Sequence, residues 1–270
     1  MDKLQTRLEK LKSQKFMIFS LALTGLAILG TEHIGKETAS VFTNWIFVPI
    51  PAAMLILSII LGKKHGISGN HGKAWIVFAV FAACWFIAEQ VWLVEELVYH
   101  EKTFPSAADF FYIIGYPAYF IFAVLYLKPF AGAITKKMIV ISSIIAVAVL
   151  VPDLYWTLGN SSDEDQFGVI LGSVYPVADS IVLVPAIIGI RLFFGGKVNF
   201  LWSLMFIAII LEVIADTGFQ YFSLDDSYYT GHPVDILFLW SYILFSFGIY
   251  DNIKVFKDKM NSYKDKKNLR

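Results

Sequence analysis

The stretch that decides the fold is residues 85–119, which read WFIAEQVWLVEELVYHEKTFPSAADFFYIIGYPAY. It contains the end of one apolar segment, a short polar loop and the start of the next apolar segment. Glu89 and Asp109 lie within or at the ends of the apolar parts. Residues 212–242 repeat this arrangement, with Asp216 and Asp235 in the corresponding places, in the sequence EVIADTGFQYFSLDDSYYTGHPVDILFLWSY. Each stretch predicts two membrane-spanning helices that carry carboxylates where hydrocarbon is expected.

The composition supports a membrane protein. Of the 270 residues, 57% are hydrophobic, and the mean hydropathy is +0.63. Apolar runs of about 20 residues recur along the chain, and each is long enough to cross a hydrocarbon core of about 30 Å. Because the runs do not alternate with a period of two, they favour helices over a β-barrel. The single cysteine, Cys84, excludes an intrachain disulfide. We therefore predict an all-α integral membrane protein.

The predicted domain organisation has three parts. Residues 1–15 form a basic leader, residues 16–253 a membrane domain and residues 254–270 a basic tail. We expect the leader either to lie on the inner leaflet or to extend the first helix. No separate soluble domain is expected. We predict eight transmembrane helices, at about 16–31, 40–62, 74–97, 107–127, 137–157, 167–193, 198–222 and 233–253.

The basic residues are sorted between the two sides that these helices define. When loops are assigned to alternate sides, 20 of the 22 Lys and Arg residues fall on one side, together with both termini. Only Lys36 and Lys102 fall on the other side, whose loops are acidic. Positive charge in short loops marks the cytoplasmic side. The sorting predicts a multi-pass protein of the cell membrane with both termini in the cytoplasm and the lipid bilayer as its partner.

The two halves of the chain carry matching residues in the same order. Glu89 and Asp109 are 20 residues apart, and their counterparts in the second half are 19 apart. Four helices plus four in the same orientation predict a parallel tandem repeat, residues 16–128 and 137–253, with a pseudo-twofold axis along the membrane normal. The matched pairs are Pro51 with Pro176, Glu89 with Asp216, Asp109 with Asp235, and Tyr116 with Tyr242.

Proline and aromatic residues predict further local features. Pro49 and Pro51 in the second span, and Pro176 and Pro185 in the sixth, predict kinks whose freed carbonyl groups face protein neighbours. Other aromatic residues near the span ends are typical of interfacial belts. These are Trp45, Trp75, Tyr99, Tyr155, Trp156, Tyr228 and Tyr229.

Carboxylates inside spans are costly, at about 2.5–3.5 kcal/mol each on insertion scales. Such groups either hydrogen-bond to neighbouring helices as structural contacts or border a wet cavity that binds a ligand or ion. Helical spacing places acids and aromatic donors on shared faces, which predicts an acidic and aromatic pocket open to the outer side. The predicted ligand contacts are Glu89, Trp92, Asp109, Tyr112, Tyr116, Asp179, Glu212, Asp216, Asp235 and Tyr242.

Residues 85–117 resemble the multi-span N-terminal sensory region of many bacterial and archaeal signalling proteins. Those regions typically run W…E…W and then PS-x-AD-x-x-Y-x-x-x-YP. The resemblance implies a sensing or ligand-binding membrane module. A diguanylate cyclase or histidine kinase domain follows in such proteins, whereas here only 20 residues follow Tyr250, so we expect output through a separate partner. The matching residues are Trp85, Glu89, Trp92, Pro105, Ser106, Ala108, Asp109, Tyr112, Tyr116 and Pro117.

We therefore expect a stand-alone sensory or ligand-binding module with a cytoplasmic or membrane signalling partner. The alternatives are a secondary transporter or proton-coupled carrier, a structural subunit of a membrane complex and, last, an intramembrane enzyme that uses an acid pair. The sequence has no GxSxG, Walker A or HExxH motif. It predicts no catalytic or metal-binding residues and no nucleic-acid partner. It leaves the cofactor and the identity of the small-molecule or ion ligand unknown.

Overall fold

The structure is a computed structural model, and it describes residues 3–67, 69–101, 104–160, 166–194 and 200–268. The described residues form nine α-helices, a π-helical turn (Glu95–Tyr99) and a 3-10 turn (Lys128–Ala133). The helices are α1 Lys3–Ile34, α2 Lys36–Ile46, α3 Pro49–His65, α4 Gly69–Val94, α5 Ala107–Leu127, α6 Lys136–Asn160, α7 Gln166–Phe194, α8 Phe200–Leu224 and α9 Asp235–Asn268.

Eight helical segments of the described chain are long and apolar enough to cross a membrane, as the sequence predicted. Their ends differ from the predicted ends by at most about six residues, because helices extend beyond the apolar stretch into the interface. Since α1 is continuous from Lys3, the leader extends the first spanning helix. The segments are Leu11–Ile34, Lys36–His65, Gly69–Tyr99, Ala107–Ala133, Lys136–Gly159, Gln166–Phe193, Ser203–Leu224 and Asp235–Lys254.

Six helices form a closed ring in which each contacts the next. The order around the ring is α3, α4, α5, α7, α8 and α9, and α9 returns to α3. Outside the ring, α1 packs against α2 and α9, and α6 packs against α7 and α8. We call the end that carries Gly35 and residues 95–101, 104–106 and 225–234 the acidic-loop end. The opposite end, with residues 66–67 and Lys128–Ala133, is the basic-loop end.

Aromatic side chains fill the ring between the candidate site and the basic-loop end. Phe78 lies against Phe122 with ring centroids 4.8 Å apart, and Phe81 lies 5.6 Å from Phe245. Trp75 packs on the same cluster and is only 1% exposed. The prediction that Trp75 belongs to an interfacial belt is therefore wrong. Its place in the sequence, near a span end, could not show that rings from α5 cover it.

The second span is broken rather than kinked. α2 ends at Ile46, Phe47 and Val48 form a turn, and Pro49 begins α3. Proline suits the first turn of a helix, where its missing N–H has no acceptor to lose. The break places Phe47 beside the candidate site described below. By contrast, α7 runs unbroken through both of its prolines.

Candidate functional site

A cavity of about 110 Å³ lies within the ring near the acidic-loop end. Nine of the ten residues that the sequence predicted as ligand contacts line it. The tenth, Asp179, lies behind Tyr116, whose hydroxyl donates a hydrogen bond to it. The structure thus brings together side chains from α4, α5, α7, α8 and α9. The nine lining residues are Glu89, Trp92, Asp109, Tyr112, Tyr116, Glu212, Asp216, Asp235 and Tyr242.

Two tyrosines reach from one half of the chain to a carboxylate of the other. The Tyr242 hydroxyl on α9 donates to Glu89 Oε1 on α4 at 2.6 Å. The Tyr116 hydroxyl on α5 lies 2.8 Å from Asp216 Oδ2 on α8 and 2.9 Å from Asp179 Oδ1 on α7. Each bond gives a buried carboxyl group a polar partner that the hydrocarbon layer would not supply.

Asp179 and Asp216 form a carboxyl pair. Both side chains lie within hydrogen-bonding distance of the Tyr116 hydroxyl. A hydroxyl has one hydrogen and donates it to one of the two, so the other carboxyl group can bond to the Tyr116 oxygen only if it carries a proton itself. The pair can therefore hold a proton beside the cavity.

Glu212 has one carboxyl oxygen without a protein donor. Glu212 is only 2% exposed, and the Ser241 hydroxyl donates to its Oε1. No donor among the described residues lies within hydrogen-bonding distance of its Oε2, although Glu212 lines the cavity. A carboxyl oxygen that borders a cavity and has no protein donor is open to a partner inside the cavity.

Asp109 is engaged at the start of its own helix. Ser106 and Asp109 form a capping box: Ser106 accepts from the backbone N–H of Ala108, and Asp109 Oδ2 accepts from that of Ser106 at 2.7 Å. The Tyr175 hydroxyl of α7 donates to the other oxygen, Oδ1, at 2.5 Å. Both Asp109 oxygens are therefore occupied by protein donors.

Asp235 has the matching place at the start of α9. Its Oδ2 accepts from the Gly231 backbone N–H at 2.7 Å, and the Tyr228 hydroxyl lies 3.1 Å from its Oδ1. Burial raises the pKa of Tyr228 well above its usual value, with Asp235 adding to the effect, so this phenol remains a donor. Tyr228 therefore contributes to the cavity wall, and its assignment to an interfacial belt is wrong.

Glu96 joins three segments at the mouth of the cavity. It accepts from Ser40 at 2.5 Å and from Asn44 at 2.9 Å, both on α2. It also accepts from the Trp92 indole at 3.1 Å and from Thr230, in the α8–α9 loop, at 2.6 Å. Glu96 follows Trp92 by four residues, which puts both on one helix face, but it was not among the predicted ligand contacts. Helical spacing identifies a face, but it does not identify partners on α2 and a distant loop.

Further wall residues were not among the predicted contacts. Most are aromatic, and the apolar ones carry no signal in the sequence that separates a cavity wall from an ordinary core position. The polar ones could have been found only as weak stripes, such as Gln220 four residues after Asp216. Among these further residues are Asn44, Phe47, Trp85, Phe104, Tyr175, Phe219, Gln220, Tyr228, Thr230 and Phe238.

The cavity wall is rich in acidic residues. The wall contains five acidic residues, and no Lys, Arg or His lies on it in the part of the chain that the structure describes. Within that part, no group of three or more His, Cys, Asp or Glu side chains is arranged to hold a metal ion. The arrangement can therefore accept hydrogen bonds, contact a positive charge and hold protons.

Comparisons with models of known protein families, with curated proteins and with solved structures found no match to this chain.

Proposed function

We propose that this chain is a membrane-embedded sensory or ligand-binding module whose pocket opens to the extracytoplasmic side. One observation carries the proposal: Glu89, Glu212 and Asp216 converge on a single cavity. Structural hydrogen bonds between helices need no such convergence, and they average only about 0.6 kcal/mol. Three acids around one hollow are costly to keep, and binding is the use that their arrangement supports best.

The positive-inside rule supports the proposed orientation. The acidic-loop end, where the cavity lies, contains Glu95, Glu96, Asp225 and Asp226, whereas Lys128 lies at the basic-loop end. A cytoplasmic basic-loop end would place both termini in the cytoplasm and the pocket toward the outside. A signalling partner would then be contacted at the basic-loop end.

The helix contacts support the proposed four-plus-four repeat. If α3, α4 and α5 are exchanged with α7, α8 and α9, the ring maps onto itself, and the α3–α9 contact becomes the α7–α5 contact. The same exchange relates the Tyr242–Glu89 bond to the Tyr116–Asp216 bond. A pseudo-twofold axis through the ring would account for both correspondences.

A second pair of contacts follows the same exchange. Trp85 packs so closely over Gly115 that a Cβ added there would lie 2.3 Å from its indole nitrogen. At the corresponding positions of the second half, Glu212 accepts from Ser241. A bulky ring over glycine in one half would thus correspond to a hydrogen-bonded acid over serine in the other. Duplication followed by divergence would produce this difference.

The proposal is tested with the double variant Glu89→Gln/Asp216→Asn, purified in lipid nanodiscs. A panel of small metabolites is screened by thermal shift against the wild-type protein and this variant. We expect at least one compound to raise Tm for wild type, and the double variant to lose that response while still folding. The matched control is Glu37→Gln, which changes an exposed acid in the first turn of α2. An equal response from the double variant would contradict the proposal.

A second candidate function is a proton-coupled carrier, and the Asp179–Asp216 pair favours it. A proton held between two carboxyl groups beside a binding cavity is a natural coupling site. Asp179 lies on α7, whose Pro176 and Pro185 free backbone carbonyls inside the span. Proteoliposomes that take up a pocket ligand only under a proton gradient would support the carrier. Binding without any transport would leave the sensory module.

A further inference from the structure

Building on the proposed function, we infer that the ligand of this cavity is a small organic cation, an ammonium or methylated ammonium of about five non-hydrogen atoms. The inference concerns the class of ligand, which the proposed function leaves open. It depends on the charge, the surface, the unmatched oxygen and the size of the cavity.

The composition of the wall disfavours anions as ligands. Every ionisable side chain on the wall is an acid or a phenol in the described part of the chain. In surroundings of low dielectric constant, an anion beside an ionised Glu89 or Asp216 would be strongly repelled. A positive charge is attracted by the same field.

The surface of the wall suits an organic cation. Eleven of its residues are aromatic, and the face of an aromatic ring attracts a cation within about 6 Å. The Trp85 indole N–H donates to the Tyr112 carbonyl, and the Trp92 N–H is shared between Glu96 and Thr230. Because protein acceptors already use both N–H groups, the two tryptophans offer ring surface rather than donors to a ligand.

Glu212 supplies the anchor. It is only 2% exposed, and its Oε2 has no donor among the described residues. An ammonium N–H would complete the hydrogen bonding of this oxygen and neutralise the charge in one contact. By contrast, Asp109 and Asp235 use both oxygens on protein donors and are unsuited to the role.

The size of the cavity limits the ligand. Its volume is about 110 Å³, whereas an apolar cavity that holds benzene measures about 150 Å³. A ligand of about five non-hydrogen atoms therefore fits without rearrangement. A dehydrated Ca²⁺ or Mg²⁺ ion would need six or more oxygen ligands around one point, and the aromatic wall does not provide them.

The experiment compares three molecules of equal size and shape. Tert-butylammonium is a cation with N–H donors, tetramethylammonium is a cation without donors, and tert-butanol is neutral. Binding to the full chain in nanodiscs is followed by tryptophan fluorescence, because Trp85 and Trp92 line the cavity. Ligands this small reach at best about micromolar Kd, so titrations extend to about 10 mM. We expect tert-butylammonium to bind at least tenfold more tightly than tert-butanol, with tetramethylammonium between them.

The anchor is tested with Glu212→Gln, which keeps the shape of the side chain and removes its charge. We expect the variant to weaken tert-butylammonium binding at least tenfold and to leave tert-butanol binding unchanged. Glu37→Gln, at an exposed acid in the first turn of α2, is the matched control and should bind both as wild type does. If Glu212→Gln does not fold, the wild-type comparison of the three molecules still decides the question.

The possible outcomes separate this inference from the proposed function. Equal binding of tert-butanol and tert-butylammonium, or preferred binding of an anion from the metabolite panel, overturns the cation inference and leaves a ligand-binding pocket. Failure of all three molecules and of the whole panel to bind overturns both. Binding of tert-butylammonium that Glu212→Gln leaves unchanged overturns the placement of the cation at this cavity.

Discussion

The acidic residues around the cavity have two different roles, and their individual oxygen atoms distinguish them. Asp109 and Asp235 each accept from a backbone N–H at the start of a helix and from a tyrosine hydroxyl. Such carboxylates stabilise helix ends, because they satisfy free N–H groups and oppose the helix dipole. Glu212 accepts from one serine and presents its other oxygen to the cavity. Equal charge therefore does not imply equal function here.

The capping role of Asp109 predicts a graded loss of stability. Asp109→Ala removes the acceptor of the Ser106 N–H and leaves the Tyr175 hydroxyl without its partner, and it should lower the free energy of unfolding by about 2 kcal/mol. Asp109→Asn keeps one acceptor and should cost about 1 kcal/mol. Denaturant unfolding in detergent measures both. Asp225→Ala, at an exposed loop position, should change stability little, and equal losses at the two sites would refute the capping role.

The hydroxyl of Tyr116 should matter more than that of a neighbouring tyrosine. Tyr116 serves two carboxyl groups, whereas the Tyr119 hydroxyl donates only to the Met205 carbonyl at 3.0 Å. Tyr116→Phe should cost about 1–2 kcal/mol, and Tyr119→Phe about 0.6 kcal/mol, the average for a hydrogen bond within a membrane protein. The same unfolding measurement compares them. Combining Tyr116→Phe with Asp216→Asn should give less than the sum of the single losses.

At the scale of elements, the α8–α9 loop closes the acidic-loop end through contacts to distant segments. The Tyr229 hydroxyl lies 3.1 Å from Glu32 on α1, and Thr230 donates to Glu96 after α4. His232 Nδ1 accepts from the Val234 backbone N–H at 3.2 Å, which requires a neutral imidazole. The loop is thus held by side-chain contacts rather than by helical hydrogen bonds.

The closure of this loop should weaken in acid. Burial lowers the pKa of His232 below 6.5, Lys36 adds to the effect and Glu32 opposes it. The unfolded chain therefore takes up this proton at a higher pH than the folded chain. The contribution of the neutral His232 side chain to the free energy of unfolding is fully present above pH 6.5. It is lost as the pH falls through the lowered pKa of His232. His232→Asn keeps an acceptor for Val234 but does not titrate. The Tm difference between wild type and variant should change only below about pH 6.5; a constant difference would contradict this.

The α4–α5 interface depends on a glycine. Gly115 on α5 allows the Trp85 ring of α4 to approach, since an added Cβ would meet its indole nitrogen at 2.3 Å. Gly115→Ala should displace Trp85, break its bond to the Tyr112 carbonyl and cost about 1–3 kcal/mol. Gly30→Ala on α1 is the matched control, because no atom lies within 4 Å of its added Cβ. It should be neutral or stabilising by up to about 1 kcal/mol. Equal effects of the two substitutions in thermal unfolding would refute the prediction.

The spanning helices could be predicted from the sequence, whereas the contacts between side chains of different helices could not. Long apolar runs predict spanning helices because hydrocarbon allows few alternatives, and helical spacing correctly placed Glu89 and Trp92 on one face. The same spacing could not identify Tyr175 as the donor to Asp109, because their contact depends on how α5 and α7 meet in the ring. Nor could it show that Trp75 is buried, since its cover comes from α5. Tertiary contacts between distant segments have no local signature.

At the scale of the whole molecule, the two ends of the helix ring differ: the cavity lies near the acidic-loop end, and the basic residues predicted to be cytoplasmic lie at the other end. The aromatic cluster around Phe78 and Phe122 fills the ring between the cavity and the basic-loop end. This packing separates the cavity from the basic-loop end. Under the proposed function, a ligand would therefore enter from the acidic-loop end, and a signal would pass through the packing of the six ring helices.

The orientation predicts which loops are reached by a membrane-impermeant maleimide in intact cells. In a Cys84→Ala background, Asp225→Cys lies at the acidic-loop end and Lys128→Cys at the basic-loop end, and both positions are exposed. We expect the reagent to label position 225 in intact cells and to label position 128 only after permeabilisation, because 20 of the 22 basic side chains should remain in the cytoplasm. Labelling of position 128 alone would mean the reverse orientation, with the cavity facing the cytoplasm. Labelling of both in intact cells would mean that the three spans between positions 128 and 225 are miscounted, since only an odd number places the two positions on opposite sides.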